Sequence, residues 1–381
     1  MADWRRLLYG AALLTGLLGQ LLLIASLRDR HVLPQRWMQF DRSAGRDAPA
    51  HHTVATGLDD SVPRLIIIVS SSPRSGSSLL GEMLSTSINT AYFFEPFYYH
   101  LKQNISMASL SGAEVRATVT QLLNCHLEES PVLREAKFRR FVWKSRPPVG
   151  QVPPSTGVLA RRCRTADTRV VKLVRPPLSA LLPLLQDDQL GGRLRLVHLV
   201  RDPRGTVNSQ LHASGVWSGV HRDPTAPCRR LRADLAAARP LRDPRYARVR
   251  YEQLALQPRD TATDLLRQLR LPWPTSLDSY LRRHMNASAA AAGRLQDPPA
   301  RLKARMTTDQ VRQWRQHARS RTRSKYFSTF RAPDFDPSHW RKELRPDVLQ
   351  QIESECADVI AELTEDADET LKKGESTLTE Q

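Results

Sequence analysis

The stretch IIIVSSSPRSGSSLLGEML, Ile66 to Leu84, decides how the rest of the chain is read. Its first residues are apolar and mostly β-branched, as in a strand buried on both faces. It then breaks into small polar residues around Gly76 and resumes with Leu79, Leu80, Met83 and Leu84 at helical spacing. A strand that enters a Ser/Gly turn and then a helix aims unpaired backbone N–H groups and the positive end of a helix dipole at one point, which suits an anion. Gly76 permits a backbone conformation or close approach that a side chain obstructs. Ser75, Ser77 and Ser78 add hydroxyl donors, and Arg74 adds a planar, permanently charged fork. The lysine and the first glycine of a nucleotide-triphosphatase loop are both missing, which speaks against a magnesium–nucleotide site.

A second stretch of the same kind follows, LVHLVRDPRGTVNSQL from Leu196 to Leu211. An apolar strand runs into Arg201, Asp202, Pro203, Arg204 and Gly205, and then into a helix that carries Ser209. Pro203 sits at a first helical position. Two anion-gripping strand ends in one sheet point to a ligand with phosphates at both ends of an adenosine, held at the carboxyl ends of parallel strands. Further strands are expected at Arg64–Ser71, Ala91–Phe94, Thr168–Arg175, Arg193–Arg201 and Ala247–Tyr251. Helices are expected at Ser77–Ser87, Ser111–Leu123, Leu178–Gln186, Cys228–Arg239, Pro258–Leu269 and Asp347–Leu363. Strands alternating with helices predict an α/β fold with a central, mainly parallel sheet flanked by helices.

Lys and Arg number 57 against 39 Asp and Glu, a formal charge of +18, which implies an acidic partner. Aromatic residues make up 6%, too few for a stacking platform for single-stranded nucleic acid, and no nucleic-acid partner is expected. Leu7–Leu27 carries no charge over 21 residues, enough to span a bilayer as a helix of ~1.5 Å rise. The expected organisation is a cytosolic stub (1–6), a transmembrane signal-anchor (7–27), a stem (28–62), a catalytic domain (63–364) and an acidic tail (365–381). Cys125, Cys163, Cys228 and Cys356 show no zinc spacing, and no metal site is expected. An even number behind an anchor fits two disulfides in an oxidising lumen. The sequons at Asn104 and Asn286 fit the same placement.

Together, SSPRSGSSLLGEML (Ser71–Leu84) and LVRDPRGTVNS (Leu199–Ser209) resemble the paired cofactor motifs of the Golgi carbohydrate sulfotransferases, most of all the branch that sulfates the 6-hydroxyl of galactose, N-acetylgalactosamine or N-acetylglucosamine. FFEPF (Phe93–Phe97), VVKLVR (Val170–Arg175), VRYEQLALQP (Val249–Pro258), KYFSTFR (Lys325–Arg331) and His339–Trp340 agree with it. The resemblance runs from about residue 64 to 364. It implies a P-loop-like sulfotransferase fold as one lumenal domain, a Golgi membrane location, and a glycan or glycosaminoglycan acceptor. The co-substrate would be 3′-phosphoadenylyl sulfate (PAPS). Pro73, Arg74, Ser75, Gly76, Ser77, Ser78 and Leu79 would hold its 5′-phosphosulfate. Arg201, Asp202, Pro203, Arg204, Gly205 and Ser209 would hold its 3′-phosphate. Asn208 and Gln210 depart from the second motif. The expected disulfides are Cys125–Cys163 and Cys228–Cys356.

Glu95 is the expected general base, its pKa raised by an apolar setting, with Arg74 and Lys172 as its catalytic partners; the alternative for Glu95 is a helix-capping or ion-pairing carboxylate. Arg175 has an open role, either at the sulfuryl group or in an ion pair. Tyr251 and Glu252 read as structural. The basic face Arg312–Arg323 suits an acidic glycan chain, or equally solvent. The competing readings are a P-loop kinase or nucleotidase and a non-catalytic, membrane-anchored glycan-binding protein.

Overall fold

Ile66, Ile67 and Ile68 have no polar neighbour to turn toward water, and the strand that contains them becomes the middle of a sheet. In the computed structural model β1 (Arg64–Val69) is buried from Leu65 onward. The described residues are 62–87, 89–144, 154–213, 218–285, 307–308, 329–331 and 334–365. Beside β1 lie β2 (Thr90–Phe94), β3 (Thr168–Leu173), β4 (Leu194–Val200) and β5 (Tyr246–Arg250). Their order is β2-β3-β1-β4-β5, and every pairing is parallel. The register sets Val69 opposite both Leu173 and His198. The chain fills one side of β1 with β3 and β2, then crosses over to add β4 and β5. That reversal lies beside the carboxyl end of β1, where open α/β sheets bind ligands.

Alternation along β1 divides the core. Leu65, Ile67 and Val69 face a cluster with α2 (Gly112–Leu123) and α3 (Thr156–Arg164). Ile66 and Ile68 face the opposite cluster, formed with α1 (Ser77–Leu84), α7 (Pro258–Gln268) and α8 (Leu277–Met285). Between β4 and β5 lie α4 (Pro203–His212) and α5 (Ala226–Ala238), and α6 (Tyr251–Leu256) follows β5 directly. The last labelled helix is α9 (Pro346–Glu355). Helix starts follow local chemistry. Ser111 and Glu114 form a reciprocal capping box at α2, and the Asp202 side chain accepts the Arg204 N–H at α4.

The carboxyl ends of β1, β3, β4 and β5 lie one or two residues inside the expected ones, because side-chain pattern continues past the last ladder hydrogen bond, whereas β2 and β5 begin one residue earlier than expected. The expected Leu178–Gln186 helix is one turn, Leu178–Leu181, that tightens to a 3-10 helix at Leu182–Gln186, where Pro183 removes a donor. The expected Asp347–Leu363 helix is interrupted at Cys356 and resumes over 357–365. The helices Ala136–Val142 and Thr156–Arg164 had no sequence expectation.

Residues 1–61, which hold the expected stub, anchor and nearly all of the stem, lie outside the described residues, as do Asn286, Arg312–Arg323 and 366–381. Among the described residues no helix is long and apolar enough to cross a membrane, and no acidic, His and Cys cluster is suited to a metal. Asn104 is exposed at a left-handed φ of 57°.

Both expected disulfides are present, Cys125–Cys163 and Cys228–Cys356, with Cα separations of 5.6 and 5.8 Å. The second spans 128 residues and ties α5 to the end of α9. Its removal by paired Ser substitution is expected to lower stability by about 4–5 kcal/mol in the chain-entropy model, read as the shift in denaturant midpoint against the intact protein. A shift under 1 kcal/mol would show that the bridge constrains nothing that packing does not already hold.

Candidate functional site

Parallel pairing places all five carboxyl strand ends along one edge, and each delivers a polar residue there. β1 leads to Arg74, β2 to Glu95, β3 carries Lys172 and leads to Arg175, β4 leads to Arg201, and β5 leads to Tyr251 and Glu252.

The first loop is shaped by donors that take up its carbonyls. The Ser70 and Ser75 hydroxyls both donate to the Ser72 carbonyl, at 3.2 and 2.7 Å. Gln210 Nε2 donates to the Pro73 carbonyl at 2.9 Å, and Arg201 Nη1 donates to that of Arg74 at 2.6 Å. Carbonyls held in this way leave the N–H groups turned the other way. Those of Gly76, Ser77 and Ser78 meet no acceptor among the described residues, and α1 has no side-chain cap. Gly76 sits at φ 91°, and a Cβ there would clash with the Tyr251 ring, 2.2 Å from its Cδ2. Leu79 is a core residue. Arg74 itself has φ 73°, a left-handed conformation that costs a non-glycine residue on the order of 1–3 kcal/mol.

Gln210 and Arg201 come from the second motif, 137 and 127 residues beyond the carbonyls they hold, so the two loops are one unit. Ser71, Ser72 and Ser75 share a small cavity with Arg201, Pro203 and Thr206. The Arg201 guanidinium lies 4.2 Å from the Tyr251 ring centroid, and its buried Nε has no hydrogen-bond partner among the described residues. Ser209 is buried on α4. Asp202 and Arg204 face another way. Arg204 pairs with Asp202 at 2.8 Å and with Glu353 at 2.9 Å, and it lies over Trp340. The two departures from the motif have structural work. Gln210 ties the loops together, and Asn208 donates to Glu343 at 2.7 Å.

Glu95 occupies the end of β2 at φ 44°, left-handed like Arg74. Its Oε1 accepts from Lys172 Nζ at 2.6 Å and its Oε2 pairs with Arg175. Lys172 also reaches the Ser78 hydroxyl at 3.4 Å and lies 4.0 Å from the Phe94 ring centroid. The expected apolar setting is therefore wrong for Glu95. Burial alone raises its pKa, but the adjacent Lys172 and Arg175 outweigh it and hold the carboxyl below the usual range. Burial lowers the Lys172 pKa against the pull of Glu95. Arg74 is brought down to about 10, first by burial and then by Arg201, and remains a cation at neutral pH. Glu252 moves the other way, raised by burial, with Oε1 accepting the Asp202 N–H at 3.0 Å.

The strand ends thus concentrate the buried Lys172, Arg175 and Arg201 and the partly buried Arg74, with Lys172 and Arg175 on the low-pKa carboxylate of Glu95 and Arg201 beside Arg74. Arg331, which donates to the Tyr251 hydroxyl at 3.0 Å and bears on Arg74, adds to the excess. Arg331 closes the KYFSTFR stretch that the sequence reading matched without giving it a role, and Glu353 was not singled out. Glu353 lies near no loop signature, and no local pattern marks it.

A sulfotransferase family model matches residues 192–275, which include β4, the second loop and β5. Carbohydrate sulfotransferase 3 of Rattus norvegicus is 28% identical over an alignment 276 residues long that covers 58% of this chain and 58% of that protein. Carbohydrate sulfotransferase 6 of Homo sapiens is 30% identical over an alignment 246 residues long that covers 51% of this chain and 61% of that protein. The aligned region spans less than two thirds of these relatives' length. Among solved structures, the sulfotransferase domain of a Synechococcus olefin synthase aligns at TM-score 0.37 and 19% identity, covering 77% of this chain and 94% of that one. Over these regions the chain is similar to carbohydrate sulfotransferases.

The packing of Tyr251 on Gly76 yields a direct check. Gly76→Ala combines a left-handed φ with a clash against a buried ring and is expected to cost about 2–4 kcal/mol in denaturant unfolding. Gly76→Ala with Tyr251→Ala should recover the part due to the clash. A single variant as stable as the parent would refute the contact.

Proposed function

We propose that this chain transfers a sulfuryl group from PAPS to a sugar hydroxyl, the 6-hydroxyl of galactose, N-acetylgalactosamine or N-acetylglucosamine, on a glycan or glycosaminoglycan. The observation that carries this reading is the joining of two cationic loops at one cavity, with unbonded amides at Gly76–Ser78 and an orphaned Arg201 Nε aimed at anion chemistry. The residues present fit a ligand with an anionic group at each end. Gly76, Ser77 and Ser78 with Arg74 would hold its 5′-phosphosulfate, and Arg201 with Ser209 its 3′-phosphate.

In the transfer, the bond from sulfur to the phosphate oxygen breaks as the acceptor oxygen bonds to sulfur, and the acceptor's proton leaves to a base. Glu95 is ionised, as a base must be, and stands between two cations. Lys172 and Arg175 orient its two oxygens, and Lys172 with Arg74 stabilises charge on the equatorial oxygens. The protein's task is positioning and electrostatics, which the loop amides and Arg74 would supply without the lysine of a nucleotide-triphosphatase loop. The reading includes a Golgi membrane setting, with Leu7–Leu27 as anchor and the catalytic region lumenal. The two disulfides and the exposed sequon at Asn104 support it.

Arg74→Ala and Arg201→Ala are each expected to lose about 2–4 kcal/mol of transition-state stabilisation in labelled-sulfate transfer, with Lys a poor substitute for Arg74. Normal turnover in either variant would sink the assignment. The same reading expects heat on titration of 3′,5′-adenosine bisphosphate and none with Mg-ATP.

Glu95→Gln is expected to bind the bisphosphate while kcat falls by ~10²–10⁴. With a folded pKa below the usual carboxylate value, Glu95 keeps its proton-accepting form until the pH drops through that lower value. The acid limb of kcat against pH should therefore lie below the ordinary carboxylate range. An acid limb near neutrality would assign the base to another group.

A further inference from the structure

The two arginines of the second loop are used differently. Arg201 is buried against Tyr251, spends Nη1 on the Arg74 carbonyl, and keeps Nε without a partner. Each nitrogen of the Arg204 guanidinium meets a carboxylate oxygen. Its Nε lies 3.1 and 3.2 Å from the two Asp202 oxygens, Nη2 donates to Asp202 Oδ2 at 2.8 Å, and Nη1 donates to Glu353 Oε1 at 2.9 Å. Its remaining face is stacked 4.2 Å from the Trp340 centroid.

Asp202 is the hub of that arrangement. Its side chain accepts the Arg204 N–H at 2.8 Å and so starts α4, while its own N–H donates to Glu252. Glu353 belongs to α9, whose Ile352 packs with Val207 of α4 and with Trp340, and whose end is bridged through Cys356 to Cys228 of α5. Glu343, just before α9, holds Asn208 of the same α4 helix. The C-terminal segment therefore grips the second loop through an ion pair, a hydrogen bond and an apolar contact.

We propose that Arg204 is a positioning residue rather than an anion ligand, and that Glu353 acts through it to hold the second loop in the geometry that binds a 3′-phosphate. This rests on the donor reading above. The sign of one substitution separates the alternatives. If Arg204 were an anion ligand, removing the competing Glu353 carboxylate would free its charge and tighten binding. If Arg204 is an anchor, the same removal loosens the turn and weakens binding.

The test is calorimetric titration of 3′,5′-adenosine bisphosphate and of AMP, which lacks the 3′-phosphate, into the parent protein and Glu353→Ala. The expected result is a roughly fivefold weaker bisphosphate affinity with AMP unchanged and Tm lower by no more than about 2–4 °C, the scale of one partly exposed ion pair. Glu353→Gln, which keeps an acceptor oxygen for Arg204, should fall between. Arg239→Gln removes a pair to Glu362 on the following helical stretch, away from the loop, and should leave the bisphosphate affinity alone. Unchanged or tighter bisphosphate binding in Glu353→Ala overturns the inference, as does an equal loss in Arg239→Gln. A parent protein that binds the two nucleotides equally overturns both this inference and the donor reading.

Discussion

The parallel pairing of β1 with β3 on one side and β4 on the other is the constraint on which the site depends. Antiparallel neighbours would send alternate strand ends to opposite edges. With all four pairings parallel, Arg74, Glu95, Lys172, Arg201 and Tyr251 arrive at one edge, although they come from segments as much as 177 residues apart (251 − 74). The apolar run that makes β1 central also makes this possible, because a strand buried on both faces needs helices on both sides and hence parallel crossovers.

That convergence has an electrostatic cost. Like charges are brought together out of water, and the Arg74 and Lys172 pKa values fall accordingly. One carboxylate, Glu95, offsets part of it by bridging Lys172 and Arg175. Two of the five non-glycine residues with positive φ among the described residues are Arg74 and Glu95. Strain and uncompensated charge at the same place are what a site built for an incoming anion shows. The surrounding packing has to over-determine the geometry, and it does. Tyr251 fills the space against Gly76, Gln210 and Arg201 hold the loop carbonyls, and the Asp234 side chain accepts the Leu178 N–H beneath the end of β3.

The second loop shows how little a motif says about the division of labour within it. Arg201 and Arg204 are the same residue type three positions apart. Burial against Tyr251 leaves one with an unused donor, while Asp202, Glu353 and Trp340 enclose the other.

Much of this was legible in the chain. The β-branched run before Gly76, the apolar run before Arg201 and the Ser/Gly turn are short-range signals, set by side-chain branching, periodicity and glycine's conformational range. They were enough for the α/β class, the parallel sheet and the two loops. The state of Glu95 was not legible. Phe93, Phe94 and Pro96 make its neighbourhood look apolar in sequence, yet its charge partners sit on a strand end 77 and 80 residues away. Nor were the contacts of Arg331, known in sequence only as the end of the KYFSTFR stretch, or of Glu353, which no local pattern marks. Element type depends on neighbours along the chain, whereas a carboxyl's pKa and an arginine's partner depend on neighbours through space, and those exist only once the strands have paired.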